Sequence, residues 1–351
     1  MTPDQDYELF EFASNDFLDD ELINKGLCIA RDVISALLKS LRQSPIKVCV
    51  YGYVDLEINA MVIKSKEVYK ITISTGALTQ FFCWYKMWFQ APAMKELFQS
   101  EKDDADTLVE KLYKFSIEYI AAHELFHALN GHCDIPKNEE HFVSEKLDIS
   151  SEEQHLFNQI LEFDADRAAV RSCIYLLLRG NSTYADLFRE VGLLSFALYN
   201  VFLVFQNESK IGFDNYIKHV FYFKDHPYDG IRFSYSFAFI VDALLQISLQ
   251  QVVIDYFIFP TTERFITFEK RVLGVPEVKN CLFSASFTYR GAQHIMNLNN
   301  AWNDVAERLR PYAHIPLATG EHIPAMRIFL DDSGKFYNAS EGNTQTDDSI
   351  E

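Results

Sequence analysis

His123-Glu124-Leu125-Phe126-His127 sets two imidazoles four residues apart with a carboxylate between them. On an α-helix that spacing puts both rings on one face, about one turn apart. Imidazole is a good zinc ligand, and a catalytic zinc site takes three protein ligands and keeps one position open for water. Glu124 then sits where it can take a proton from that water. The pentapeptide therefore requires a helix around it and a third ligand from elsewhere in the chain.

The metzincin continuation does not supply that ligand. It needs glycine and histidine where this chain has Asn130 and Cys133, and Gly131 and His132 are each one residue out of register. His132 can still lie near the site, but it reads more readily as a surface histidine at a helix end. Farther along, Glu162 and Asp166 are four apart in Leu161-Glu162-Phe163-Asp164-Ala165-Asp166-Arg167-Ala168-Ala169. On a helix they share a face. Glu162 can be the third ligand, and Asp166 can accept a hydrogen bond from the far nitrogen of a ligand histidine, fixing its tautomer. Ala165, Ala168 and Ala169 would let this helix approach the first. The plainer alternative for Glu162 and Asp166 is a solvated acidic face.

A third element is His226-Pro227-Tyr228-Asp229-Gly230-Ile231-Arg232. With H-E-x-x-H and Glu162-x-x-Ala165-Asp166-x-x-Ala169 before it, the chain resembles the HtpX and CAAX prenyl protease (Oma-like) group of zinc peptidases. Asn59-Ala60 and Ile73-Ser74-Thr75-Gly76-Ala77-Leu78 are similar to the strand region of that group. The resemblance covers about residues 59–232. It implies an α+β, mainly helical zincin-type metallopeptidase domain with a small antiparallel sheet before the H-E-x-x-H helix. It implies that His123, His127 and Glu162 bind one zinc ion per chain and that Glu124 activates the water. It further implies that His226 helps hold the oxyanion, that Arg232 braces Glu162, and that Asn59 contacts substrate backbone beside the sheet edge. Members of the group are usually membrane-anchored, whereas this chain shows no convincing span. A second, weaker resemblance, matched only at H-E-x-x-H, is to the Lit-type bacterial phage-exclusion peptidases.

The surrounding pattern supplies the elements. Leu22 to Leu41 reads as a helix ended by Ser44-Pro45. Three β-branched or aromatic runs between residues 46 and 76 read as a mainly antiparallel sheet. Leu78 to Phe98 and Leu108 to Asn130 read as helices, the second stopped by Gly131. Cys133 to Glu152 is polar and acidic and reads as a solvated loop. Glu153 to Arg179 is helical and ends at Gly180. Val191 to Phe205 and Phe233 to Phe259 read as buried core helices rather than membrane spans. Helices continue to about Trp302, and Asp331 to Glu351 reads as an acidic disordered tail. The expectation is a single domain over residues 1–330, with catalytic helices at about 108–179 and a helical part at 185–330.

Bulk properties narrow the setting. The chain has 351 residues, 48% of them apolar, with 30 Phe and 18 Tyr, enough for a large core. A formal net charge of -18 argues against nucleic acid or an anionic membrane as main partner. Six dispersed cysteines form no disulfide framework and read as buried structural thiols. The N-terminus shows no signal peptide, so the expected setting is cytoplasmic. The expected activity is a zinc-dependent endopeptidase acting on an intracellular protein or peptide. The alternatives are a Lit-like toxin protease with one target and a catalytically silent zinc-binding regulatory module. Substrate identity and oligomeric state are not legible in the sequence.

Overall fold

Ser74 ends one strand and begins the next helix, and the chain around it explains the small sheet. The structure is a computed structural model that describes residues 20–41, 46–135, 151–180, 183–209, 226–275, 282, 289–318, 328–330 and 336–338. Helix α1 (Asp20–Ser40) precedes β1 (Lys47–Tyr53), β2 (Ala60–Ser65) and β3 (Val68–Ser74). Strand order is β1-β3-β2, with β2 antiparallel and β1 parallel to β3. The expected mainly antiparallel sheet is thus a mixed one. The reason lies in residues 54–59, which cross the end of β3 instead of folding straight back. Asn59 O accepts from Ser74 N at 2.9 Å and Asp55 O from Gly76 N at 2.7 Å. Gly76 is required there, because a Cβ would lie 2.4 Å from Leu56 O. The order leaves the outer edge of β2 unpaired within the sheet.

Helix α2 (Thr75–Trp88) is capped by the Ser74 hydroxyl, which accepts from Ala77 N. The single helix expected over 78–98 is two, because Pro92 opens a new first turn in α3 (Pro92–Leu97). Helix α4 (Ala105–Leu129) begins at an Asp104 cap and carries the H-E-x-x-H. It is buried nearly all round and packs on α1, α2, the sheet, α5 (Ser151–Gly180) and α6 (Tyr184–Ser209). Gly131 ends it with φ 81°. Segment Tyr184–Phe205 is long and apolar enough to cross a membrane, and 94% of its apolar 18-residue window is buried inside the structure.

Helix α7 (Asp229–Leu245) packs on α5 and α6. The expected single helix over 233–259 is interrupted by a turn at 246–249. There follow α8 (Gln250–Val253), a π-helical turn (Ile254–Ile258) and α9 (Phe259–Arg271). Pro260 accounts for the π turn: it donates no hydrogen bond, and its ring crowds the carbonyl four residues back. Helix α10 (Tyr289–Leu309) completes the helical part. Strands β4 (Ile328–Leu330) and β5 (Phe336–Asn338) pair antiparallel, so part of the expected disordered tail is strand. The rest of that tail, the Ser44-Pro45 break, most of the acidic loop and Cys281 lie outside the described residues.

The cysteines correct the sequence reading. Among the described residues only Cys173 is buried, Cys28 and Cys83 are exposed, and all are free thiols.

Candidate metal centre

Helices α4 and α5 lie side by side, and small residues make this possible: Ala121 and Ala122 on α4, and Ala165 and Ala169 on α5, have no exposed surface. The contact brings His123, His127 and Glu162 together. His123 Nε2 and His127 Nε2 are 3.0 Å apart, and the Glu162 carboxylate oxygens lie 3.4 Å and 3.3 Å from them. Tetrahedral zinc with ligands at about 2.0–2.1 Å holds its donor atoms about 3.3 Å from one another. The two ring nitrogens and the carboxylate stand near that separation, with one carboxylate oxygen toward each histidine.

Charge points the same way. Glu124, Glu162, Asp164 and Asp166 are four buried carboxylates against two buried guanidiniums, Arg167 and Arg232, and protonated His123 offsets one of the two excess negative charges until a metal replaces its proton. Buried charge is costly unless paired, and a divalent cation fits both donor set and deficit. Among the described residues this is the one group of His, Cys, Asp and Glu side chains arranged to hold a metal ion.

Asp166 anchors the arrangement. Arg232 donates to both its oxygens, Nε to Oδ2 at 2.9 Å and Nη2 to Oδ1 at 2.8 Å. Tyr119 and Tyr235 each donate a hydroxyl to it at 2.5 Å. His123 Nδ1 lies 2.8 Å from Asp166 Oδ1, in ion-pair range though off the best hydrogen-bond line. The same Arg232 Nη2 is 3.1 Å from Glu162 Oε2, so it contacts the third candidate ligand as well.

Electrostatics follow from this packing. Burial opposes the charge of Asp166, but Arg232 and His123 hold its carboxyl well below the usual range. Burial likewise opposes Glu162, and His226, His127 and Arg232 keep it ionised. Burial would lower His123; Asp166 and Glu162 outweigh it and push its pKa up to about 10. Glu124 is raised by burial, with His123 and His127 opposing. Cys133 is pushed up to about 12 by burial and by Glu124, so it stays a thiol.

Each candidate from the sequence lines one cavity of about 630 Å³, except Asp166, which lies beneath it. Glu124 and Asn59 line the cavity, Asn59 from just before β2. The backbone of Asn59 is tied to Ser74, leaving its exposed side chain for the cleft. His226 stands at the mouth, its side chain 65% exposed, with Nδ1 3.3 Å from Glu162 Oε2. The cavity walls are largely apolar, including Ile120, Met61, Val62, Leu161 and Phe205.

One expectation is overturned. The His132 side chain is not on the surface but 2% exposed, packed behind His127. Gly131 turns the chain back beneath the end of α4 and carries His132 with it. Sequence reasoning also left out Tyr119, Tyr235 and Asp164. Tyr119 was legible, since it precedes His123 by one helical turn on the same face. Nothing in the sequence ties Tyr235 or Asp164 to the site. Comparison with protein-family models, curated proteins and solved structures gave no match.

Proposed function

We propose that this chain is a gluzincin-type zinc peptidase that hydrolyses peptide bonds of an intracellular protein. One observation carries the reading: two histidine nitrogens and a carboxylate stand at metal-ligand separation, with the Glu124 carboxylate in the same cavity. A zinc ion held by His123, His127 and Glu162 supplies a Lewis acid and a water of lowered pKa.

The chain's own groups perform the remaining tasks. Glu124, its proton affinity raised by burial, takes the proton of the attacking water and passes it to the leaving amine. His226, open at the cleft mouth, donates to the oxygen that gains charge. Arg232 keeps Glu162 ionised and oriented. The free edge of β2 offers backbone groups to an extended peptide, with Asn59 beside it. Loss of one charge-stabilising donor at such a site costs about 10²–10³ in rate.

The test is whole-cell comparison of protein fragments after expression of wild type or Glu124→Gln, with metal analysis of both. The expected result is about one zinc per chain in each and new fragments with wild type alone. Identical fragment patterns with zinc bound would favour the silent regulatory module instead.

A further inference from the structure

His132 and Asp164 form a relay behind the second histidine of the motif. His132 Nδ1 is 2.9 Å from His127 Nδ1, on the side of that ring opposite the metal-facing Nε2. Its other nitrogen, Nε2, is 3.3 Å from Asp164 Oδ2, in ion-pair range though off the best hydrogen-bond line. Asp164 is 1% exposed and also accepts from Asn130 Nδ2, at 2.6 Å, and from Arg167. Arg167 in turn donates to Ala318 O at 3.1 Å and lies over the Trp302 ring.

The hydrogen-bond directions are constrained. Asp164 is ionised beside Arg167, so it can only accept, and its nearness to His132 Nε2 favours a proton on that nitrogen. A singly protonated His132 then has a lone pair on Nδ1. That lone pair accepts from Nδ1–H of His127, which leaves the Nε2 lone pair of His127 facing Glu162 and His123. The reverse assignment would put a proton on the metal-facing nitrogen.

We propose that His132 is a positioning residue that, oriented by Asp164, selects the metal-binding tautomer of His127. The inference rests on the metal-site reading above. It pairs with the role of Asp166 behind His123: one α5 helix would orient both histidines, one directly and one through an inserted imidazole. The insertion has a geometric reason. Asp166 shares the face of Glu162, whereas Asp164 is turned about 160° around the helix axis from it. Asp164 cannot reach the ligand face itself, and the His132 ring spans the gap.

The turn that holds His132 is fixed on both sides. Gly131 fits against the Tyr312 backbone, where a Cβ would lie 2.5 Å away. Asp134 accepts from Tyr69 and Lys64 and is 3.1 Å from His314 Nε2. His132 therefore sits in a braced 3₁₀ turn, Residues His132–Asp134, rather than on a free loop.

The test is zinc affinity, measured by chelator competition, for wild type, His132→Phe and His132→Asn. His132→Phe should weaken zinc about 10–100-fold. His132→Asn, whose amide oxygen can accept from His127, should recover most of that loss. Equal affinity in wild type and His132→Phe, or equal loss in both variants, would overturn the proposal while leaving the metal site intact. Absence of zinc binding by wild type would instead remove the metal-site reading itself. Nitrogen-15 histidine spectra of zinc-loaded wild type give a readout that needs no variant. A His132 proton on Nε2 supports the relay, and one on Nδ1 refutes it.

Discussion

Arg232 grips Asp166 with two hydrogen bonds, at 2.9 Å and 2.8 Å, and with the same Nη2 reaches Glu162 at 3.1 Å. One guanidinium from α7 thus pairs with two carboxylates of α5 one helical turn apart. It fixes the candidate third ligand and the residue that backs His123 in one rigid unit.

Removal of Arg232 should therefore cost more than a contact. Arg232→Met leaves Asp166 and Glu162 buried without their shared guanidinium, a loss of about 3–5 kcal/mol in urea unfolding. The double variant with Asp166→Asn should be less destabilised than the two single losses added together. Simple additivity would mean that the two residues do not act as a pair.

Zinc added to metal-free protein should raise its unfolding temperature. Mass action gives about 2.7 kcal/mol at a free zinc concentration 100 times Kd. Glu162→Ala should lose most of this shift, since it removes one of the three donors. A full shift in Glu162→Ala would assign the third ligand elsewhere.

Stability of metal-free protein should fall at both ends of the pH range. The native pKa of His123, about 10, lies above its unfolded value of about 6.5. Its contribution is complete below the unfolded value and is lost as pH rises toward 10. Asp164 and Asp166 are depressed below their unfolded value of about 3.9, so their contribution is present above it. That contribution is lost as pH falls through the native values. Thermal unfolding from about pH 2 to about pH 11 checks both limbs; a flat alkaline limb would contradict the His123 assignment.

Gly131→Ala should be much worse than Gly274→Ala. Both glycines have positive φ, 81° and 76°, so both substitutions carry a backbone penalty of about 1–2 kcal/mol. Only at Gly131 would the new methyl meet backbone, 2.5 Å from the Tyr312 carbonyl carbon; at Gly274 nothing lies within 4 Å. Equal losses in denaturant unfolding would show that the Tyr312 contact is unimportant.

That His123 shares a helix face with His127, and Glu162 with Asp166, was legible in the sequence because helical spacing sets which residues share a face. The same rule located α4, α5 and the buried α6. It could not give the direction of β1, because strand direction depends on where the 54–59 connection crosses, and hydrophobic pattern does not record that. It could not separate α8 from α9 through the π turn. Nor could it bring His132 inside: that required Gly131 to reverse the chain at φ 81° and α5 to present Asp164 from across the interface. The order of chemical groups along each helix was set locally. Which group stands behind which was decided by packing between elements distant in the chain, where a buried charge must find its partner.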